Sequence, residues 1–141
     1  MPEKIRVRLL LQDLAFGGTQ RQALELAARL DPERFDTALW TLIPGRGFED
    51  EARERSIPTR CFSRSRNVGP ASLWGLFRAL GREKPHILVL LTVVPNIWGR
   101  ILGRLRSVPV IIANSRQSGN PGRQHEQFLK MLAHHHICNA Q

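Results

Sequence analysis

A chain of 141 residues, 42% hydrophobic, 23% charged and 6% aromatic, is the size of one globular domain with a sizeable core. That composition excludes a disordered polar tract, a collagen-like fibre and a disulfide-stapled miniprotein. The balance of 21 Lys+Arg against 12 Asp+Glu, a formal +9, suits nucleic acid, anionic lipid or a phosphorylated ligand. Of those 21 basic residues 18 are arginine, spread along the chain with the densest cluster at Arg53, Arg55, Arg60, Arg64 and Arg66, which reads more simply as a bias in composition.

From the N-terminus, residues 5–11 predict a short buried strand, 35–43 a second and 57–62 a weaker third. Residues 87–91 and 108–113 are near-continuous β-branched and Leu runs, as strands covered on both faces require. Helical spacing lies between them. Residues 19–30 place Ala23, Leu26, Ala27 and Leu30 on one stripe and stop at Asp31-Pro32. A short polar helix follows over 48–55. Residues 70–82 carry Leu73, Phe77 and Leu80 on one side, and 96–105 hold Ile97, Ile101 and Leu105 at spacings of four. A last helix is expected over 123–133, with Phe128, Leu129 and Leu132, before a final strand around Ile137. Strands alternating with helices of this length indicate right-handed βαβ units, hence an α/β three-layer, Rossmann-like parallel sheet.

No secretory signal is visible: Lys4, Arg6 and Arg8 lead into Leu9-Leu10-Leu11, but Gln12 and Asp13 end the apolar run. The longest apolar stretch, 87–94, falls far below the roughly 18 residues of a membrane span, so a cytoplasmic protein is expected. Cys61 and Cys138 form no metal-ligand spacing and read as small buried hydrophobes.

Ligands of such sheets bind beyond the carboxyl ends of the strands, so three loops carry the chemistry. In the first, Gly17-Gly18 lets a ligand approach the backbone, and Thr19 reads as an N-cap with Gln22 at capping-box spacing. Exposed N–H donors at that helix start favour phosphate, although neither GxGxxG nor a P-loop is present. In the second, Asn96 reads as the cap of the next helix, whose exposed side is expected to show Arg100 and Arg104. Asn96 and Arg100 are candidate substrate contacts. The third, residues 114–122, gathers hydrogen-bonding side chains and glycines, Ser115 and Arg116 among them.

The run Phe16-Gly17-Gly18-Thr19-Gln20-Arg21-Gln22-Ala23-Leu24-Glu25-Leu26-Ala27, followed by Leu30-Asp31-Pro32-Glu33-Arg34-Phe35, resembles the opening of family-four (group one) glycosyltransferases. Glu54-Arg55-Ser56-Ile57-Pro58, Lys84-Pro85-His86-Ile87, Asn96-Ile97-Trp98-Gly99-Arg100 with Val108-Pro109-Val110-Ile111, and Ile137-Cys138-Asn139-Ala140 continue the resemblance in register. It implies the N-terminal, acceptor-side half of a GT-B architecture, an enzyme of polysaccharide biosynthesis that moves a sugar from a nucleotide-sugar donor to a glycan or lipid-linked acceptor. It also implies independence from a bound metal or other cofactor, and Gly17 and Gly18 lying against the donor diphosphate. The family's strand-four histidine has no counterpart in Val89-Leu90-Leu91-Thr92-Val93-Val94, so no catalytic residue is assigned. Against the family's pattern the chain is expected to be truncated before the donor-binding domain, which would leave the isolated chain inactive.

His134-His135-His136 invites a metal reading, but adjacent residues of a strand alternate faces and cannot all aim at one ion. No metal site is assigned. Peripheral contact with the inner face of a membrane is weighed on Trp74, Phe77, Arg78 and Arg82, or on Trp98, Arg100, Arg104 and Arg106. The alternative to a glycosyltransferase is a non-catalytic basic α/β binding module or truncated relic contacting nucleic acid or a protein partner; aliphatic strands weigh against nucleic acid.

Overall fold

The computed structural model describes residues 3–115 and 135–138. Strands and helices alternate as β1 (Ile5–Leu11), α1 (Gly18–Arg29), β2 (Phe35–Thr41), α2 (Glu49–Glu54), β3 (Thr59–Cys61), α3 (Pro70–Glu83), β4 (Ile87–Leu90), α4 (Val93–Leu105), β5 (Val110–Ser115) and β6 (His135–Cys138). The strands form one sheet in the order β3-β2-β1-β4-β5-β6, with every neighbouring pair parallel. The chain builds outward from β1 through β2 to β3, then crosses back to β4 on the other side. This is the doubly wound, Rossmann-like arrangement, and β1/β4 is its switch point.

Alternating strand residues feed two cores. Val7, Leu9 and Leu11 of β1, Leu39 and Val89 pack with Ala23, Leu24 and Ala27 of α1 and with Phe48 and Ala52 at α2. Leu10, Ala38, Trp40, Leu88, Leu90 and Ile111 pack instead with Leu76, Ala79 and Leu80 of α3, with Val94 and Leu102 of α4 half-buried against them. Helices therefore cover both faces, which is why these strands lack polar alternation.

Arg8 is the exception within β1, only 4% exposed. Its Nη2 reaches Glu83 Oε1 at 3.0 Å and Asp36 Oδ2 at 3.3 Å, its Nη1 donates to the Asp36 carbonyl at 2.7 Å, and the Trp40 ring lies 5.7 Å away. Buried charge is tolerated when paired and hydrogen-bonded, and here the pairing joins β1, β2 and the end of α3.

The helices lie where the periodicity places them, but their buried stripes differ. In α1 the buried residues are Ala23, Leu24 and Ala27, while Leu26 is 43% exposed. In α3 they are Ser72, Leu76, Ala79 and Leu80; Leu73 and Phe77 are only half-buried. In α4 Leu105 is 66% exposed. The sheet meets Gly99 and Gly103 instead: a Cβ on Gly99 would run into the Leu90 side chain, and one on Gly103 would lie 3.0 Å from Ile111 Cδ1. A stripe of glycines is invisible to hydrophobic spacing, yet it lets a helix lie close on a sheet of bulky side chains.

Several boundaries also shift. β3 has only three residues at the sheet edge, and Cys61 is exposed there, not buried as expected; the Cys138 side chain and the helix expected over 123–133 lie outside the described residues. β5 starts at Val110, not at 108, because Val108 belongs to the end of α4. Its N–H bonds the Gly103 carbonyl at 2.9 Å, and Ser107 N–H bonds Arg104 at 3.1 Å with Ser107 left-handed at φ 57°. This is a Schellman closure, and Ser56 (φ 58°) closes α2 in the same way.

Candidate functional site

At the switch point β1 leads into α1 on one layer and β4 into α4 on the other, so the two connecting loops flank a crevice at the strand tips. The loops are tied across it: Gln12 N–H donates to Thr92 Oγ1 at 3.0 Å. Asp13 organises the first loop, its Oδ1 accepting from Ala15 N–H at 3.0 Å and from Gln20 Nε2 at 3.3 Å. The β2–α2 connection buttresses the other side. Ala15 and Gly47 form an antiparallel bridge, and Phe48 N–H bonds the Leu14 carbonyl at 2.8 Å. The fit leaves no room for a Cβ on Gly47, which would stand 2.6 Å from Leu14 O and Phe16 N.

This scaffold holds the diglycine bend open. Gly17 and Gly18 are both exposed at the strand tips. Gly17 is itself the N-cap of α1, extended at φ −177°, with no side-chain cap bond. Thr19 is thus inside the first turn, and the expected Thr19/Gln22 capping box does not form. Gly17 supplies only its carbonyl, to Arg21 N–H at 3.0 Å. The first-turn N–H groups of a helix have no intrahelical acceptor, so those of α1 remain available to an anion. A Cβ at Gly17 would meet only the end of the Gln20 side chain, Oε1 at 2.5 Å, which can swing aside, so glycine here serves close approach to the backbone and not a packing need.

The second loop differs from its expected form. Thr92, not Asn96, is the N-cap of α4, and its hydroxyl is turned to Gln12 instead of to its own helix. Asn96 lies within the first turn, its N–H on the Thr92 carbonyl at 2.9 Å. Pro95 misleads the sequence reading here: a proline in the first turn forfeits no helical bond, so the helix runs through it. Arg100 is 2% exposed, so it is not on the expected solvent face; Arg104 is exposed as expected. Ser115 ends β5, but its side chain and all of Arg116 lie outside the described residues.

Of the candidates, Gly17, Gly18 and Thr19 therefore lie at the start of α1 and Asn96 in the first turn of α4, the helices that follow the two switch-point strands. Arg100 lies one turn further along α4 and is buried. Asp13, Gln20, Thr92 and Gly47 are structural members that motif reading passed over. The Asp-x-Ala turn was the available signal for Asp13, since Asp readily accepts from the backbone two residues on. A cavity of about 630 Å³ between Ala27, Leu30, Phe35, Thr37 and Ile57 opens at the opposite ends of the strands. It is distant from the exposed helix amides and is not the site.

The Glycosyl transferase 4-like domain matches residues 17–140, starting at the diglycine bend. The chain belongs to this family. No curated protein matches it in sequence. Among solved structures this glycosyl transferase 4-like domain is similar to Anabaena HepE, determined in complex with UDP and glucose, at TM-score 0.69 and 12% identity over 91% of this chain and 35% of that one. It is similar to Acinetobacter baumannii MurG at 0.66 and 15%, over 99% and 42%. A Listeria monocytogenes protein assigned as a UDP-N-acetylglucosamine 2-epimerase gives 0.65 and 14%, over 97% and 40%. The chain thus spans about two-fifths of the length of these neighbours, and at such identities the likeness is one of fold, which different chemistries share.

Proposed function

We propose that this domain is the acceptor-side half of a glycosyltransferase that moves a sugar from a nucleotide-sugar to a glycan or lipid-linked acceptor. The observation that carries the reading is the open N-terminus of α1 at the switch point, presented through Gly17 and Gly18 without a side-chain cap. A diphosphate fits there because helix-start amides and the positive end of the helix dipole both favour an anion. In this reading the helix-start amides take the place of a metal bridge to the diphosphate. UDP is the reference nucleotide, since HepE is described with UDP and glucose. A second domain supplies the rest of the donor site in this reading, and the acceptor occupies the crevice between the loops at Gln12–Gly18 and Thr92–Asn96. Titrating the labelled chain with millimolar UDP tests it: the amide signals of Gly17 to Gln20 shift together. If those four stay still while others move, the diphosphate does not bind there.

The same reading places the domain at the cytoplasmic face of a membrane. No described helix is long and apolar enough to cross one. On the α3/α4 layer, however, Trp74 is 60% exposed and stacks on Phe77 with ring centroids 5.7 Å apart, and the Arg106 guanidinium lies 3.8 Å from the Phe77 ring. Trp98, Leu105 and the exposed Arg78, Arg82 and Arg104 share these helices. Aromatic rings among arginines suit a surface of anionic headgroups.

A further inference from the structure

Phe16 is the most exposed large hydrophobic residue of the described chain, at 77%, and it directly precedes the diglycine bend. An aromatic ring in water at a ligand-binding mouth is unusual for a loop, where Gly, Asn, Asp and Ser prevail. It is also not a loose ring. Its backbone is pinned between the Ala15–Gly47 bridge and the start of α1. Its ring stands edge-to-face on Phe48, with centroids 5.0 Å apart and an interplanar angle of 78°. Phe48 is 3% exposed in the core, and the Arg21 guanidinium lies 5.3 Å from its ring. A buried ring therefore props an exposed one upright, leaving the exposed ring's surface for something that arrives from solution.

We propose that Phe16 is a stacking platform for a pyranose ring. The negative face of an aromatic ring attracts the polarised C–H groups on one face of a pyranose. The hydroxyl groups around the sugar's rim then need acceptors and donors, and the same loop offers both. Asp13 uses Oδ1 for its two bonds, so Oδ2 is left to accept among the described residues, while Gln12 and Gln20 are half-buried beside it. One apolar platform with a few fixed polar groups is the make-up of a small-molecule site. Reach agrees as well: Phe16 and Gly17 are chain neighbours, about 3.8 Å apart from Cα to Cα, so platform and bend belong to one loop. The assignment rests on reading this mouth as a saccharide site. The pyranose is either the transferred sugar of the donor or a sugar of the acceptor.

Saturation-transfer and amide-shift titrations of the 141-residue chain separate these cases. The probes are UDP, UDP-glucose, and the methyl pyranosides of glucose, galactose, mannose and N-acetylglucosamine. Phe16→Ala and Phe16→Leu should weaken pyranose binding several-fold, Phe16→Trp should keep or tighten it, and UDP should bind all four proteins alike. Loss confined to UDP-glucose assigns the ring to the donor sugar; loss confined to a methyl pyranoside assigns it to the acceptor. If UDP leaves Gly17 and Gly18 unmoved but a pyranoside binds and is lost in Phe16→Ala, the diphosphate reading fails and the platform stands. Equal pyranose binding by wild type, Phe16→Ala and Phe16→Leu overturns the proposal, as does a wild-type chain that binds none of the sugars. Because Phe16 is exposed, these variants should unfold with the wild type, and a thermal melt checks that.

Discussion

Gly99 sits where α4 crosses the sheet, with Leu90 and Leu10 filling the space a side chain would take. Both neighbours are fully buried and close-packed, so a methyl group there must push the helix outward. Gly99→Ala should therefore destabilise the domain by about 1–3 kcal/mol, the usual cost of overpacking, despite alanine's better helix propensity. Gly69→Ala is the contrast without a clash: nothing lies within 4 Å of its added Cβ and its φ of −142° is ordinary, so it should cost only the roughly 0.5 kcal/mol by which alanine caps α3 less well than glycine. Equal effects at the two positions would contradict the packing described for α4. Ser107 offers the opposite sign. It closes α4 in the left-handed region at φ 57°, where a side chain costs about 1 kcal/mol and glycine nothing. Ser107→Gly should gain roughly 0.5 kcal/mol after the larger chain entropy of glycine is counted, visible as a small rise in the denaturant midpoint without a change in slope.

Among elements, the loop after β1 depends on a neighbour distant in sequence. Gly47 faces the 14–16 backbone where its side chain would be, with Leu14 O and Phe16 N each 2.6 Å from a built Cβ. Gly47→Ala should break the bridge to Ala15 and release the bend, speeding amide exchange across residues 14–18 and weakening UDP binding several-fold, while strands β1 and β4 keep their protection. Unchanged exchange in that segment would show the bend holds itself. This dependence explains what the sequence could and could not disclose. Apolar runs such as Ile87-Leu88-Val89-Leu90 revealed the strands, because burial on both faces leaves a continuous hydrophobic signature. Gly17-Gly18 revealed the bend itself, since both residues of its signal are adjacent. Gly47 and Asp13 carry the same site, but their roles depend on contacts between β1–α1 and β2–α2 that no local pattern encodes. Arg100 failed for a related reason: an arginine on a helix is normally in solvent, and only tertiary packing buries this one.

For the molecule as a whole, the net charge of +9 gains direction from where the folded chain leaves its aromatics. On the other layer arginine meets acids, Arg55 with Glu25 at 3.1 Å and Glu51 at 2.8 Å. Such half-exposed pairs contribute little to stability and offset their own charge. The α3/α4 layer differs in combining exposed Trp74 with Arg78 and Arg82 on one helix and Arg104 and Arg106 on its neighbour. Each basic residue near an anionic bilayer contributes about 1 kcal/mol, so reversing two of them should cost at least about 2 kcal/mol, roughly a 30-fold loss of binding. Wild-type protein should float with vesicles containing phosphatidylserine at low salt, float less as salt rises, and stay at the bottom with neutral vesicles. The Arg78→Glu/Arg82→Glu variant should remain unbound in all three conditions while melting with the wild type, since both side chains are exposed. Trp74→Ala should weaken flotation even at low salt, because the indole acts through the interface and not through charge. Equal flotation on neutral and anionic vesicles, or flotation untouched by the charge reversal, would detach this patch from any membrane role.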